Sequence, residues 1–299
     1  MWLFFALLTT FLWAFADLFY KKSAVPDDKE SHIKTAITVG LVMGAHGFGY
    51  MLIKGVAFTP SLLVTYFPVS SMYILSMTIG YFGLRYIELS ISSPIQNSSG
   101  AVTSILIYIF FAHTLSFLEI SAIVVITSGI VGLAAVERHD INSSLVLRER
   151  DKKYRLGFVA IIFPVLYCVI DGLGTFADAV YLDVLSLISE DEALLAYEFT
   201  FLICAVIAII LLKIRKKRFR LSKEKDKLAA AVFETAGQFF YVFAMARNAI
   251  IAAPFIASYS VFSVLLSRIF LKEKLTWKQY LMVAAVMTGI AMLALSEAM

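Results

Sequence analysis

Charge is scarce in this sequence. Only 16% of its 299 residues are Asp, Glu, Lys or Arg, against about a quarter in a soluble domain. Cysteine is scarcer still: Cys168 and Cys204 each sit inside an apolar run and offer neither a disulfide framework nor metal-ligand spacing. The His and Cys positions form no metal cluster, and there is no HExxH, phosphate-binding glycine loop or nucleophile elbow. Nothing here argues for an enzyme, a metal or a cofactor.

What is abundant is apolar. Hydrophobic residues make up 60% of the chain, and the mean hydropathy is +0.84. A protein core cannot absorb that excess, so lipid must solvate much of it. A membrane helix takes about 20 mostly apolar residues. Ten such runs are legible, at 2–20, 34–53, 62–84, 91–111, 116–136, 157–181, 193–212, 228–246, 250–270 and 277–296. The first has no positive segment before it and carries Lys21 and Lys22 after it, which reads as a retained helix rather than a signal peptide.

With ten helices the loops alternate sides, and all 26 basic residues except Lys54 and Arg247 fall on one side. That side is expected to be cytoplasmic. The expectation is an integral, multi-pass protein of the plasma (inner) membrane with both termini on the non-cytoplasmic side. The net charge of +4 is read as these loops, with no nucleic-acid partner. The run "KIRKKRFRLSKEKDK" at 213–227 reads as a topology determinant rather than a specific anionic-lipid site.

The chain also repeats itself. At an offset of 160, residues 81–137 align with 241–297 without a gap, pairing Tyr81 with Tyr241, Pro94 with Pro254, Ser98 with Ser258, Gly129 with Gly289 and Glu137 with Glu297. The turn "FFAHTLSFLE" lacks basic residues, whereas its partner "FLKEKLTWKQ" has Lys272, Lys274 and Lys278. That contrast is expected if the same turn lies on opposite membrane faces. The fold class is therefore expected to be an all-α integral membrane protein of ten transmembrane helices arranged as two inverted five-helix repeats. Residues 1–137 would form the first repeat, 138–156 a basic cytoplasmic connection, and 157–299 the second repeat.

At an offset of 154, Trp13 meets Tyr167 and Asp17 meets Asp171. A carboxylate deep in a bilayer costs at least about 2.5–3.5 kcal/mol and usually faces a polar pathway. Asp17 could instead pair with Lys21 one turn on; Asp171 has Thr175 in that place and no basic neighbour. Glu234, Gln238 and Tyr241 are spaced i, i+4, i+7 and share one helix face. Asn97, Gly100 and Ser104 form a weaker polar stripe behind Pro94. Glu198 is expected to lie close enough to the outer face to be hydrated, and His46, among Gly44, Gly47 and Gly49, is read as close helix packing. His113 lies in an outer turn. Arg85, Arg247 and Arg268 lie near helix ends, so the apolar helices are expected to hold buried carboxylates without comparably buried cations.

These residues resemble the EamA-like family of the drug/metabolite transporter superfamily over nearly the whole chain. Trp13 and Lys21 fall where helix 1 carries its usual aromatic and basic residues, and "SYSVFSVLLSRIFLKEKLTWKQYLMVAAVMTGIAML" (258–293) is similar to the family's characteristic stretch, with Glu273 at its acidic position. The departures are Ser260 for a frequent proline, His113 for an acidic residue, Ala14 for a common glycine, and Asp17 and Asp171, which are not general family features. The resemblance implies secondary transport of a small organic solute by alternating access, with the pocket at the repeat interface.

The candidate substrate-binding residues are Trp13, Asp17, Asn97, Tyr167, Asp171, Glu234, Gln238, Tyr241 and Tyr259, with Asp171 and Glu234 as candidate proton carriers. Runs 1, 3, 4, 6, 8 and 9 would supply the pocket. The acidic groups point to a cationic or zwitterionic solute, the alternatives being a neutral solute moved with protons or a non-transporting scaffold or sensor. The partners expected are a small solute and the lipid bilayer, with the chain a monomer or homodimer.

Overall fold

A computed structural model describes residues 2–25, 27–111, 116–143 and 157–296. His113 and residues 144–156 of the 138–156 connection lie outside these. The described chain is all-helical, with no strand among the described residues. In order, the helices are α1 (Trp2–Ser23), α2 (Ser31–Lys54), the short α3 (Ser61–Thr65), α4 (Phe67–Gly83), α5 (Leu89–Gln96), α6 (Ser99–Phe111) and α7 (Phe117–Ser143). Further along the chain come α8 (Ile162–Ala179), α9 (Glu190–Ile214), α10 (Lys225–Ala257), α11 (Tyr259–Leu266) and α12 (Trp277–Ser296). A 3-10 turn precedes α8 and π turns follow α8 and α11.

Among the described residues, five stretches are long and apolar enough to cross a membrane: Trp2–Ser23, Ser31–Lys54, Val159–Val184, Glu190–Ile214 and Lys225–Arg247. The other apolar helices are shorter or interrupted. Side chains such as Phe4, Leu52, Phe110, Ile207 and Trp277 stand well exposed. Such a surface is unfavourable in water and is satisfied by lipid.

Three runs depart from unbroken helices. Run 62–84 breaks at Tyr66, run 91–111 at Asn97 and Ser98, and run 250–270 at Ser258. The last two breaks follow Pro94 and Pro254 at closely matching distances. Proline lacks an N–H and weakens the helix around it. The turn expected between 246 and 250 is absent: α10 continues through it, because "ARNAIIAA" holds no Gly or Pro and favours helix. At that point Ala249 N–H donates to Asp183 Oδ2 at 3.0 Å.

Helix starts follow local chemistry. Ser189 and Glu192 form a capping box at α9. Ser116 with Glu119 and Thr276 with Gln279 exchange backbone and side-chain bonds in the same way at α7 and α12.

The most extensive pairings are α1 with α10, α7 with α12, α2 with α9, and α4 with α8. Small residues make the close ones possible. On α2, Gly40, Gly44 and Gly47 meet Phe201, Leu202 and Phe199 of α9, whereas Gly49 faces open space. Between α7 and α12 the contacts are reciprocal. A Cβ on Gly129 would meet Val286 Cγ2 at 2.7 Å and Met282 O at 3.1 Å; one on Gly289 would meet Ile126 Cγ1 at 2.5 Å and Ala122 O at 3.0 Å. The short helices α5 and α11 sit deep in the bundle, and all eight residues of α5 are buried.

Candidate functional site: a carboxylate-lined cavity

One cavity of about 860 Å³, the solvent at its open mouth included, is lined by all nine residues singled out from the sequence. Trp13 and Asp17 come from α1, Tyr167 and Asp171 from α8, and Tyr259 from α11. Asn97 sits at the break between α5 and α6. Glu234, Gln238 and Tyr241 line it together from one face of α10, as their spacing requires. Gly100 also lines it; the side chain of Ser104 is not among those described. Tyr20, Tyr73, Met77, Tyr81, Gln96, Ser99 and Tyr197 complete the wall without having been signalled, being ordinary aromatic or small polar residues in apolar runs. Tyr197 brings in α9, outside the six runs expected to build the pocket.

The three cavity carboxylates face neutral hydroxyl groups. Asp17 Oδ2 accepts from Ser93 Oγ at 2.7 Å and Ser263 Oγ at 2.8 Å, which ties α1 to both short helices. Lys21 donates to the carbonyls of Leu84, at 2.7 Å, and Ile87, just beyond the end of α4. The hydroxyls of Ser99 and Ser76 face Asp171. The Tyr20 hydroxyl, which accepts from Tyr81 at 3.1 Å, faces Glu234.

Trp13 packs on Tyr241 and Tyr259, with ring centroids 5.0 Å and 5.8 Å away, and its indole N–H is buried without a partner. Such a wall of π faces and carboxylates suits an organic cation.

Two expectations need correction. Buried cations do exist: Lys21, Arg85 and Lys227 are all buried. Long side chains reach inward to helix-end carbonyls, as Lys227 does to Ser23 O at 3.1 Å. None of them lines the cavity, and no Lys, Arg or His does so among the described residues. Glu198 is not hydrated either: it is fully buried, with Oε1 2.7 Å from His46 Nδ1. Gly47 leaves the room for it, since a Cβ there would stand 3.0 Å from Glu198 Oε2. His46 is thus a hydrogen-bond partner of Glu198 as well as a packing residue.

Glu273, from the stretch after α11, accepts from Leu89 N at 3.0 Å, Ser90 N at 2.9 Å and Ser90 Oγ at 2.8 Å. It caps α5, where bare N–H groups and the helix dipole favour a carboxylate. Among the described residues no group of three or more His, Cys, Asp and Glu is placed to hold a metal.

Residues 158–295 match the model of the EamA-like transporter family. The match covers the second half of the chain, and that half is similar to the EamA-like transporter family. This family is part of the drug/metabolite transporter superfamily, and its members are membrane transporters rather than enzymes. Transporters of this family handle small solutes within a lipid bilayer as multi-pass proteins. No curated protein matches this EamA-like chain by sequence. One solved structure, titled only "Crystal structure of protein", aligns over 99% of this chain and 96% of its own with a TM-score of 0.61 and 14% identity. At that identity the likeness concerns the fold alone.

Proposed function

We propose that this EamA-like chain is a secondary-active carrier of a small amine-bearing solute, working by alternating access and coupled to protons. The observation that carries the reading is the cavity wall: Asp17, Asp171 and Glu234 beside Trp13, Tyr167, Tyr241 and Tyr259, with no basic residue among the described lining. An anion in such surroundings would need a cationic partner. An amine supplies the missing positive charge.

Alternating access needs two arrangements of similar energy, which inverted halves provide. Several contacts support ten helices in two inverted repeats. The reciprocal packing of Gly129 and Gly289 joins residues 160 apart. The capping boxes at Ser116 and Thr276 share that offset, as do Leu89 and Ala249, whose N–H groups each meet a carboxylate. Both termini are assigned to the non-cytoplasmic side on the charge split alone.

Competition binding with phenethylamine, a neutral isostere and an organic acid of similar size tests the substrate class. The amine should bind best, and Asp171→Asn should weaken it. Best binding by the acid, unchanged in Asp171→Asn, overturns the reading. Asp171→Asn or Glu234→Gln should also abolish dependence of uptake on a pH gradient. The burial of three carboxylates in a cavity with no cation among its described lining favours a second reading, protonated carboxyls moving a neutral solute; best binding of the isostere would select it.

A further inference from the structure

Asp178 stands apart from the cavity carboxylates. It lies on α8, seven residues after Asp171, is fully buried and does not line the cavity. Tyr66, at the start of α4, donates to its Oδ1, and the hydroxyls of Tyr241 on α10 and Tyr73 on α4 face the same carboxyl. Its Oδ2 has no hydrogen-bond partner.

The other titratable groups nearby are Tyr197 of α9, whose ring meets Tyr73 edge-on, Tyr181, edge-on to Tyr66, and Asp171 on α8 itself. None of these is a cation. A buried carboxylate oxygen without donor or counter-charge is costly. A proton on that oxygen removes the charge.

The same tyrosines lead to the cavity. The hydroxyls of Tyr73 and Tyr241 are 2.7 Å apart, and Tyr73 donates to Thr175 Oγ1 at 3.3 Å. Tyr73, Tyr241 and Thr175 all line the cavity, and Thr175 lies one turn from Asp171.

We propose that Asp178 is a proton-binding site of the transport cycle, joined to the cavity by the hydroxyls of Tyr241, Tyr73 and Thr175. This rests on the carrier reading above. On rotation of the Asp178 carboxyl toward Tyr241, its proton enters the Tyr241 hydroxyl as that group's own proton passes to Tyr73, whose proton passes to Thr175, whose proton enters the cavity. A carboxylate remains at Asp178, each hydroxyl is restored, and no electron moves. The route gives the cycle a proton site outside the volume the solute occupies, so binding and protonation need not compete for one carboxylate.

The test is infrared difference spectroscopy between acid and alkaline pH on the full chain in phosphatidylcholine vesicles, with no solute. Wild type should show the C=O band of a buried protonated carboxyl that disappears at alkaline pH. Asp178→Asn should lack that component, and Tyr73→Phe should keep it but shift it and slow its hydrogen–deuterium exchange. An unchanged spectrum in Asp178→Asn overturns the proton site; an unmoved band and exchange rate in Tyr73→Phe overturn the link. If Asp178→Asn fails to fold, Tyr66→Phe reports on the same band, supporting the proposal by shifting it and refuting it by leaving it in place. Because no solute is present, the outcome is independent of whether an amine is carried.

Discussion

The indole of Trp13 rests on Gly237, where a Cβ would come within 2.4 Å of its Cδ1 and 2.6 Å of its Nε1. Tyr167 rests on Gly80 in the same way, its Cδ2 2.8 Å from where a Cβ would stand. The two bare stretches of helix set how far each ring stands back from the cavity. Gly237→Ala must therefore displace the indole, at a strain of about 1–3 kcal/mol. The expected result is a fall of about tenfold or more in phenethylamine affinity. With Trp2 and Trp277 replaced by Phe, the emission of Trp13 should also change. Unaltered emission would show that the ring has not moved.

Glu273 should be a stability residue. Glu273→Ala leaves the N–H groups of Leu89 and Ser90 without their acceptor in a buried place, a loss of about 1–3 kcal/mol. Glu273→Gln keeps one acceptor and should lose less. Thermal unfolding in detergent measures both, and an Ala variant as stable as wild type would contradict the capping role.

Gly129 and Gly289 should respond alike. A leucine at either position drives a side chain into the facing helix, into Val286 from one side and Ile126 from the other. Each variant should lower the unfolding midpoint by a similar amount, with about 1–3 kcal/mol of overpacking as the lower bound. If one position accepts leucine and the other does not, the two halves are not equivalent there.

The α1–α2 turn should loosen in acid. Burial alone would raise the Asp28 carboxyl, but the hydrogen bond from Lys34, at 2.6 Å, the Glu30 N–H and the Lys34 charge outweigh it and hold Asp28 below the ordinary value of 3.8. A depressed carboxyl stabilises the fold above its unfolded value, and that stability is lost as pH falls through the folded one. Protection of the Glu30 amide from exchange, relative to an unstructured amide at the same pH, should therefore fall below pH 3.8, and Asp28→Asn should show the lower protection already at neutral pH. The effect should be small because the pair is partly solvated.

Much of the site is legible in the amino-acid order alone. Asp17, Asp171 and Glu234 stand out because a carboxylate in an apolar run is expensive and therefore informative. Glu234, Gln238 and Tyr241 share a face by spacing alone. Asp178 carries a signal too: Asp171, Thr175 and Asp178 follow the same i, i+4, i+7 pattern. Its position near the end of its run, where carboxylates are commonly hydrated, hides that pattern.

The sequence by itself determined the solvent of this protein and the helical character of its apolar runs. These follow from composition and local periodicity, which act over a few residues at a time. Tertiary structure alone decided the partners of the charged groups. Lys21 reaches the carbonyls of Leu84 and Ile87, Asp17 takes two serines from different helices, and Glu198 finds His46 across 152 residues. In a low dielectric every buried polar group must be satisfied by whatever the packing brings near, and spacing along one helix does not say which neighbour that is.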